Sequence, residues 1–224
     1  LRAREGVRRA LRRGQGLRQG ARRKNLMLKD TGSIQDGIER IESIIQTMRE
    51  ASQKSREQKE YVNLYELLLS SLALSYNRSK QIVTITINDR PFDLNLPKPE
   101  YLFMGCLQQQ RIEQVWVIIL NNALDELIKI EAFEKRYLSV KIFREDETIV
   151  VRFKDNAGGI DEKILPRIFE PFESTKESSG IGIGLNIAQQ IVLQNNGTIS
   201  AYNEDEGAVF EVRLPVAKEP CHVI

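Results

Sequence analysis

Residues 180–185 read Gly180-Ile181-Gly182-Ile183-Gly184-Leu185 and run straight into an apolar helical period, and no other stretch restricts the fold so tightly. Alternating glycines ahead of a helix start leave backbone N–H groups free to face anionic oxygens, and the helix dipole reinforces them. The spacing is not that of a dinucleotide-binding turn, and the Gly-Lys-Ser/Thr of a P-loop is missing. Alone such a turn does not fix a fold. Its meaning depends on the elements around it.

Those elements alternate in period. Leu64, Leu67, Leu68, Leu72 and Leu74 suggest a helix, after which Val83, Ile85 and Ile87 fall on one face of a strand, opposite Thr84 and Thr86. Asn88-Asp89-Arg90-Pro91 turns the chain. A long helix is predicted over 109–130, with Ile112, Val115, Ile119, Ala123 and Leu127 on one face. Strands over 138–143 and 148–154 follow, separated by Arg144-Glu145-Asp146-Glu147. The glycine turn opens a helix over 183–194, which stops at Asn195-Asn196-Gly197, and strands over 198–202 and 209–214 close the domain. This order describes an α+β domain: a two-layer α/β sandwich with helices on one face of a mixed, mostly antiparallel sheet.

The amino-terminal part is built differently. Residues 1–25 hold ten Arg or Lys against the single acid Glu5, so the other 199 residues, with 23 basic and 30 acidic side chains, carry a net charge of −7. The leader has no aromatic residue and little with which to build a core, which argues against a specific nucleic-acid reader. Ile34, Ile38, Ile41, Ile45 and Met48 then mark a narrow helical seam running to about Glu60, which needs a partner, either its own copy in a dimer or the globular domain, and the dimer is favoured. Domains are expected at 1–32 (basic leader or altered first helix), 33–60 (dimerisation helix), 61–216 (globular domain) and 217–224 (tail). The apolar run 115–120 is far too short to span a bilayer, and no signal peptide opens the chain, so a cytoplasmic location is expected. Cys106 and Cys221 lie far apart without metal-ligand spacing and are expected to be inert, neither disulfide-bonded nor zinc-bound.

Three short stretches carry chemistry. Asn121-Asn122-Ala123-Leu124-Asp125-Glu126 lies on the long helix, where an amide oxygen is a hard ligand suited to Mg²⁺ that keeps phosphate and water ligands. Asp155-Asn156-Ala157-Gly158-Gly159-Ile160 follows a strand directly; a carboxylate there can accept a hydrogen bond from a purine's exocyclic amine while the glycines let backbone approach the ring. The third is the glycine turn. Between the second and third, Arg167-Ile168-Phe169-Glu170-Pro171-Phe172-Glu173-Ser174-Thr175-Lys176 offers two aromatics to anchor a segment over a nucleotide.

Taken in this order the stretches resemble the catalytic domain of sensor histidine kinases, in the superfamily shared with gyrase, a family of heat-shock chaperones and mismatch-repair ATPases. The resemblance covers about 61–215. It implies the Bergerat ATP-binding fold. It also implies that Asn122 holds Mg²⁺, that Asp155 binds adenine beside Gly159 and Ile160, and that Phe169 and Phe172 belong to the lid. Gly180, Ile181, Gly182, Ile183, Gly184 and Leu185 would cradle the phosphates of ATP, with Lys176 a further phosphate contact. The Ile-Phe-Glu-Pro-Phe wording looks most like the nitrogen-regulation kinases. The implied reaction moves the γ-phosphoryl of Mg-ATP to a histidine of a dimeric bundle and then to an Asp of a response regulator receiver domain.

Three positions depart from the pattern. Ile118 stands where hydrolases of the superfamily have a Glu base and histidine kinases usually Asn, which disfavours gyrase-like hydrolysis. Ala208 replaces the frequent Thr of the adenine pocket. The acceptor histidine should lie in 1–30, yet the one histidine in the chain is His222. The expectation is a piece whose first helix is lost or replaced, one that binds ATP without phosphorylating itself on histidine. Two alternatives stay open: a serine or protein kinase of the same superfamily, and a non-catalytic ATP-responsive dimerisation module.

Overall fold

Apolar residues recur along 109–127 so that Ile112, Val115, Trp116, Ile119, Leu120, Ala123, Leu124 and Leu127 line one side of a single helix, and all are buried. In the computed structural model, which describes residues 58–93, 103–173 and 182–221, this helix is the centre of the core. The chain divides into two compact units, 1–54 and 55–224, and every described residue belongs to the second.

The order in the second unit is β1 (Glu60–Asn63), α1 (Leu64–Ser79), β2 (Thr84–Ile87), β3 (Arg90–Pro91), β4 (Met104–Leu107), α2 (Gln109–Leu127), β5 (Tyr137–Glu145), β6 (Thr148–Asp155), α3 (Gly184–Gln194), β7 (Thr198–Glu204) and β8 (Gly207–Pro215). Six strands form one sheet in the order β3-β2-β5-β6-β8-β7, in which only β2–β5 is parallel. The two-layer, mostly antiparallel expectation holds. Ile85, Ile87, Leu138, Val140, Ile142, Ile149, Val151, Phe153, Phe210, Val212 and Leu214 alternate along their strands into the core with α2. Trp116 of α2 meets Phe153 of β6 at 5.8 Å between ring centroids.

Four expectations are corrected. Glu60 opens β1 instead of closing a helix, and β1 pairs with β4, from Glu60 opposite Leu107 to Asn63 opposite Met104. Gln58 and Lys59 before it are not helical either, and the rest of the proposed dimerisation helix, 33–57, lies outside the described residues. Leu74 is 77% exposed, because two residues past Leu72 it stands about 200° round the helix from it. Strand β5 extends to Glu145, since Arg144 and Glu145 stay in register with Ile149 and Thr148, where β6 begins as expected, and the turn tightens onto Asp146 at φ 50°. Finally, Cys106 and Cys221 form a disulfide with their Cα atoms 5.6 Å apart. After β8 the chain crosses to β4, where Ala217 N–H donates to Met104 O at 2.8 Å, so the residues read as a loose tail are fastened in part.

On the outer sheet face Arg152 donates to Glu211 at 2.6 and 2.9 Å, and Arg213 donates to Glu211 at 2.7 Å and to Glu145 at 2.8 Å. Burial works against the charged Glu211 carboxyl, but the bonds from Arg152 and Arg213 prevail and hold it below the usual carboxylate range. A pKa lower in the fold than in the unfolded chain gives stability that is full above the unfolded value and fades as pH falls through the folded one. Glu211→Gln is therefore expected to cost about 1–2 kcal/mol at neutral pH, the scale of charge-assisted bonds at a partly solvated site, and progressively less in acid. Denaturant midpoints across pH check it; a gap that persists unchanged into strong acid contradicts it.

Candidate nucleotide site

Asp155 is the last residue of β6, where the alternation that buries Val151 and Phe153 points its carboxyl inward, and it is 4% exposed. Its Oδ1 accepts from Ala157 N–H at 2.9 Å and Ala208 N–H at 3.3 Å. Burial raises its pKa, the two backbone bonds oppose this, and the charge of Glu126 adds to the rise. The backbone passes close: a Cβ at position 207 would lie 1.7 Å from Asp155 O, so only glycine fits there. Gly158 and Gly159 take φ of 88° and 77°, which lets the loop turn away from the sheet end. Ala208 contributes its buried N–H, which any residue but proline would supply.

The second glycine stretch begins its helix at Gly184. Gly182 has φ 70°, and a Cβ on it would sit 2.6 Å from Glu173 O. Phe172 N–H donates to Gly182 O at 2.9 Å, so the aromatic segment is laid directly on the glycine turn. Phe169 packs at the core margin, whereas Phe172 is 60% exposed with φ 70°. Ile183 is buried, and Leu185 packs on the core edge. Lys176, Gly180 and Ile181 lie outside the described residues.

Helix α2 joins the two glycine stretches. Ile118, Asn122 and Glu126 are four residues apart and share a stripe. At one end, Ile118 Cγ2 lies 3.4 Å from where a Cβ of Gly184 would stand; at the other, the charge of Glu126 acts on Asp155. Asn122 is between them. Its neighbour Asn121 points elsewhere: Arg78 of α1 donates to both Asn121 Oδ1 and Asp125 Oδ1. The Asn122 side chain makes no hydrogen bond among the described residues, and the residue is half-buried. A single unengaged amide oxygen fits Mg²⁺, which keeps waters and phosphate oxygens as its other ligands. Ile118 is a methyl wall under the head of α3, with no atom able to take a proton from water.

The structure adds residues that the motifs did not single out. Asn156 Oδ1 accepts from Tyr137 N–H at 2.8 Å and its Nδ2 donates to Lys135 O at 2.7 Å, tying the loop after Asp155 to the start of β5. Asn186, in the first turn of α3, donates to Phe169 O at 2.9 Å and anchors the aromatic segment. Asn156 stands within the stretch 155–160 but had no role of its own there; Asn186 gave no signal beyond being polar in an apolar run. A separate cavity of about 270 Å³, lined by Tyr137, Ser139, Lys141, Arg152, Lys154 and Glu204, opens on the face of the sheet away from these groups. No described helix is long and apolar enough to cross a membrane.

Residues 108–218 match the family described as histidine kinase-, DNA gyrase B- and HSP90-like ATPase. Among known proteins, the two-component sensor PprA of Pseudomonas aeruginosa is 34% identical over 134 residues, 58% of this chain and 14% of that protein. Sensor protein VanSC of Enterococcus gallinarum is 41% identical over 129 residues, 55% of this chain and 33% of that protein. The matches thus span a third or less of these relatives' own length. Among solved structures, histidine kinase ThkA in complex with response regulator protein TrrA superposes with TM-score 0.61 at 22% identity, over 82% of this chain and 49% of that one. The mycobacterial sensor histidine kinase MprB gives 0.57 at 20%, over 70% and 98%. At those identities the structural likeness is one of fold.

Proposed function

Residues 108–218 belong to the histidine kinase-, DNA gyrase B- and HSP90-like ATPase family and form an ATP-binding module of the histidine kinase kind, and from that premise we propose that this one presents Mg-ATP for phosphoryl transfer to a histidine of a dimeric bundle, and then to an Asp of a response regulator. The observation that carries the reading is the α2 stripe, which runs from the glycine turn at Gly184 through Asn122 to the neighbourhood of Asp155. Adenine would be read by Asp155 and the phosphates met by the N–H groups heading α3, with Asn122 holding Mg²⁺ between. Bound Mg²⁺ would neutralise charge on the β- and γ-phosphates. Everything else is positioning: the protein holds the chain of phosphates in line and, with Ile118 in place of a carboxylate, gives water no base.

Residues 33–57 would supply the dimer, and the nucleotide chemistry suits the cytoplasm. The kinase reading is favoured over the serine-kinase and dimerisation-module readings by VanSC and PprA, which are named as sensors, and over gyrase-like hydrolysis by Ile118. The test uses this chain mixed with a separately supplied bundle carrying an acceptor histidine. With Mg-ATP, acid-labile phosphate should accumulate on the supplied bundle and fall about a hundredfold with Asn122→Ala, because loss of even an outer partner of a metal ligand costs about ten- to a hundredfold. Acid-stable phosphate on serine, or tight binding with no transfer, would replace this reading with one of the alternatives.

A further inference from the structure

The loop after Asp155 is held from outside by the β7–β8 hairpin. Asn203, on the edge strand β7, engages the backbone of Ile160 with both ends of its amide: Ile160 N–H donates to Oδ1 at 2.7 Å and Nδ2 donates to Ile160 O at 2.8 Å. Gly159 lies so close that a Cβ there would be 2.8 Å from Asn203 Oδ1. Further along the hairpin, Gly158 N–H donates to Glu206 O at 2.9 Å and Ala208 N–H to Asp155 Oδ1. Lys154 pairs with Glu204 at 3.0 Å and with Asp205, bracing the same turn from β6. The backbone at 158–160 is thus set relative to the Asp155 carboxyl by the hairpin, and its far end depends on one side chain.

We propose that Asn203 is a positioning residue for base selectivity: it fixes Gly159 and Ile160 at the distance from Asp155 that admits adenine, without itself touching the nucleotide. This rests on the reading of Asp155 as the adenine acceptor. Two neutral hydrogen bonds at a partly solvated site make little of the domain's stability, but they fix a loop whose two glycines have wide freedom when released. Loosening the loop removes the penalty that a rigid wall imposes on the wrong base, because discrimination comes from polar groups held where only one partner satisfies them.

The experiment measures dissociation constants of Mg-ATP and Mg-GTP by calorimetry, together with melting temperature, for the unmodified chain, Asn203→Ala, Asn203→Gln and Asp155→Asn. Asn203→Ala is expected to weaken ATP binding about fivefold to tenfold while GTP binding changes less than about twofold, so the ATP/GTP ratio falls. Asn203→Gln, which keeps both the donor and the acceptor on a longer arm, should recover part of that ratio. Equal weakening of both nucleotides, or a lowered melting temperature with an unchanged ratio, overturns the proposal and makes Asn203 a structural staple. If the unmodified chain binds ATP and Asp155→Asn binds it equally well, the adenine reading itself fails, and that result is separable from any obtained with Asn203.

Discussion

Asp155→Asn is expected to raise the dissociation constant for ATP by about a hundredfold or more while leaving the domain folded. The substitution is nearly isosteric, and Asn Oδ1 can still accept from Ala157 and Ala208 N–H as Asp155 does. What changes is the second atom, which turns from an acceptor into an N–H₂ donor that would face the donor amine of a bound adenine, leaving two donors unpaired. Stability should move the other way. Burial raises the Asp155 pKa, so in the native state the group keeps its proton to higher pH than in the unfolded chain, and its ionisation weakens the fold as pH rises through that window. The Asn variant has no such loss and should melt at the same temperature or higher above the ordinary carboxylate range. Calorimetry and thermal melts on the same sample separate the two effects. An unchanged ATP affinity would mean that the base is read by some other group.

Most of the site was legible because its residues occupy positions where local pattern and chemistry coincide. The face of α2 named from periodicity is the buried face, and the glycines at 158, 159 and 182 have positive φ, the last two with Asn203 and Glu173 close against them. The stripe Ile118, Asn122, Glu126 was latent in the same period but needed the glycine turn and the end of β6 placed against it before it meant anything. The misses have their own physics. Glu60–Asn63 has no alternation and reads as the tail of a charged helix; it is a strand because Met104–Leu107 offers it a ladder. Asn203 sits in a run of acids, Asn203-Glu204-Asp205-Glu206, that reads as a solvated turn, and its reciprocal bonds to Ile160 are made across 43 residues of sequence. Leu74 was counted into a seam by identity, although its spacing from Leu72 excluded it.

The second large effect comes from the pair that sequence reasoning dismissed. Cys106 and Cys221 are 115 residues apart, so their spacing carries no geometric information, and only the crossing of the chain from β8 to β4 brings them together. Closing a loop of that length removes disorder chiefly from the unfolded chain, by about 4–5 kcal/mol in the loop-entropy account. Reduction, or Cys221→Ser, is therefore expected to lower the unfolding free energy by about 4 kcal/mol and the melting temperature by about 10 °C for a domain of this size. The loss should be mirrored by a steeper denaturant dependence, because the uncrosslinked chain expands further. Cys106→Ser with Cys221→Ser should cost no more than either alone, since both remove one bond. ATP binding should be unaffected in each, because neither cysteine belongs to α2, the loop after Asp155 or the glycine turn. Equal midpoints with and without reductant would show that the bond does not form in solution. If it does form, a glutathione-reduced compartment deprives the domain of that increment, and the packing of α1, α2 and α3 on the sheet must sustain the nucleotide site without it.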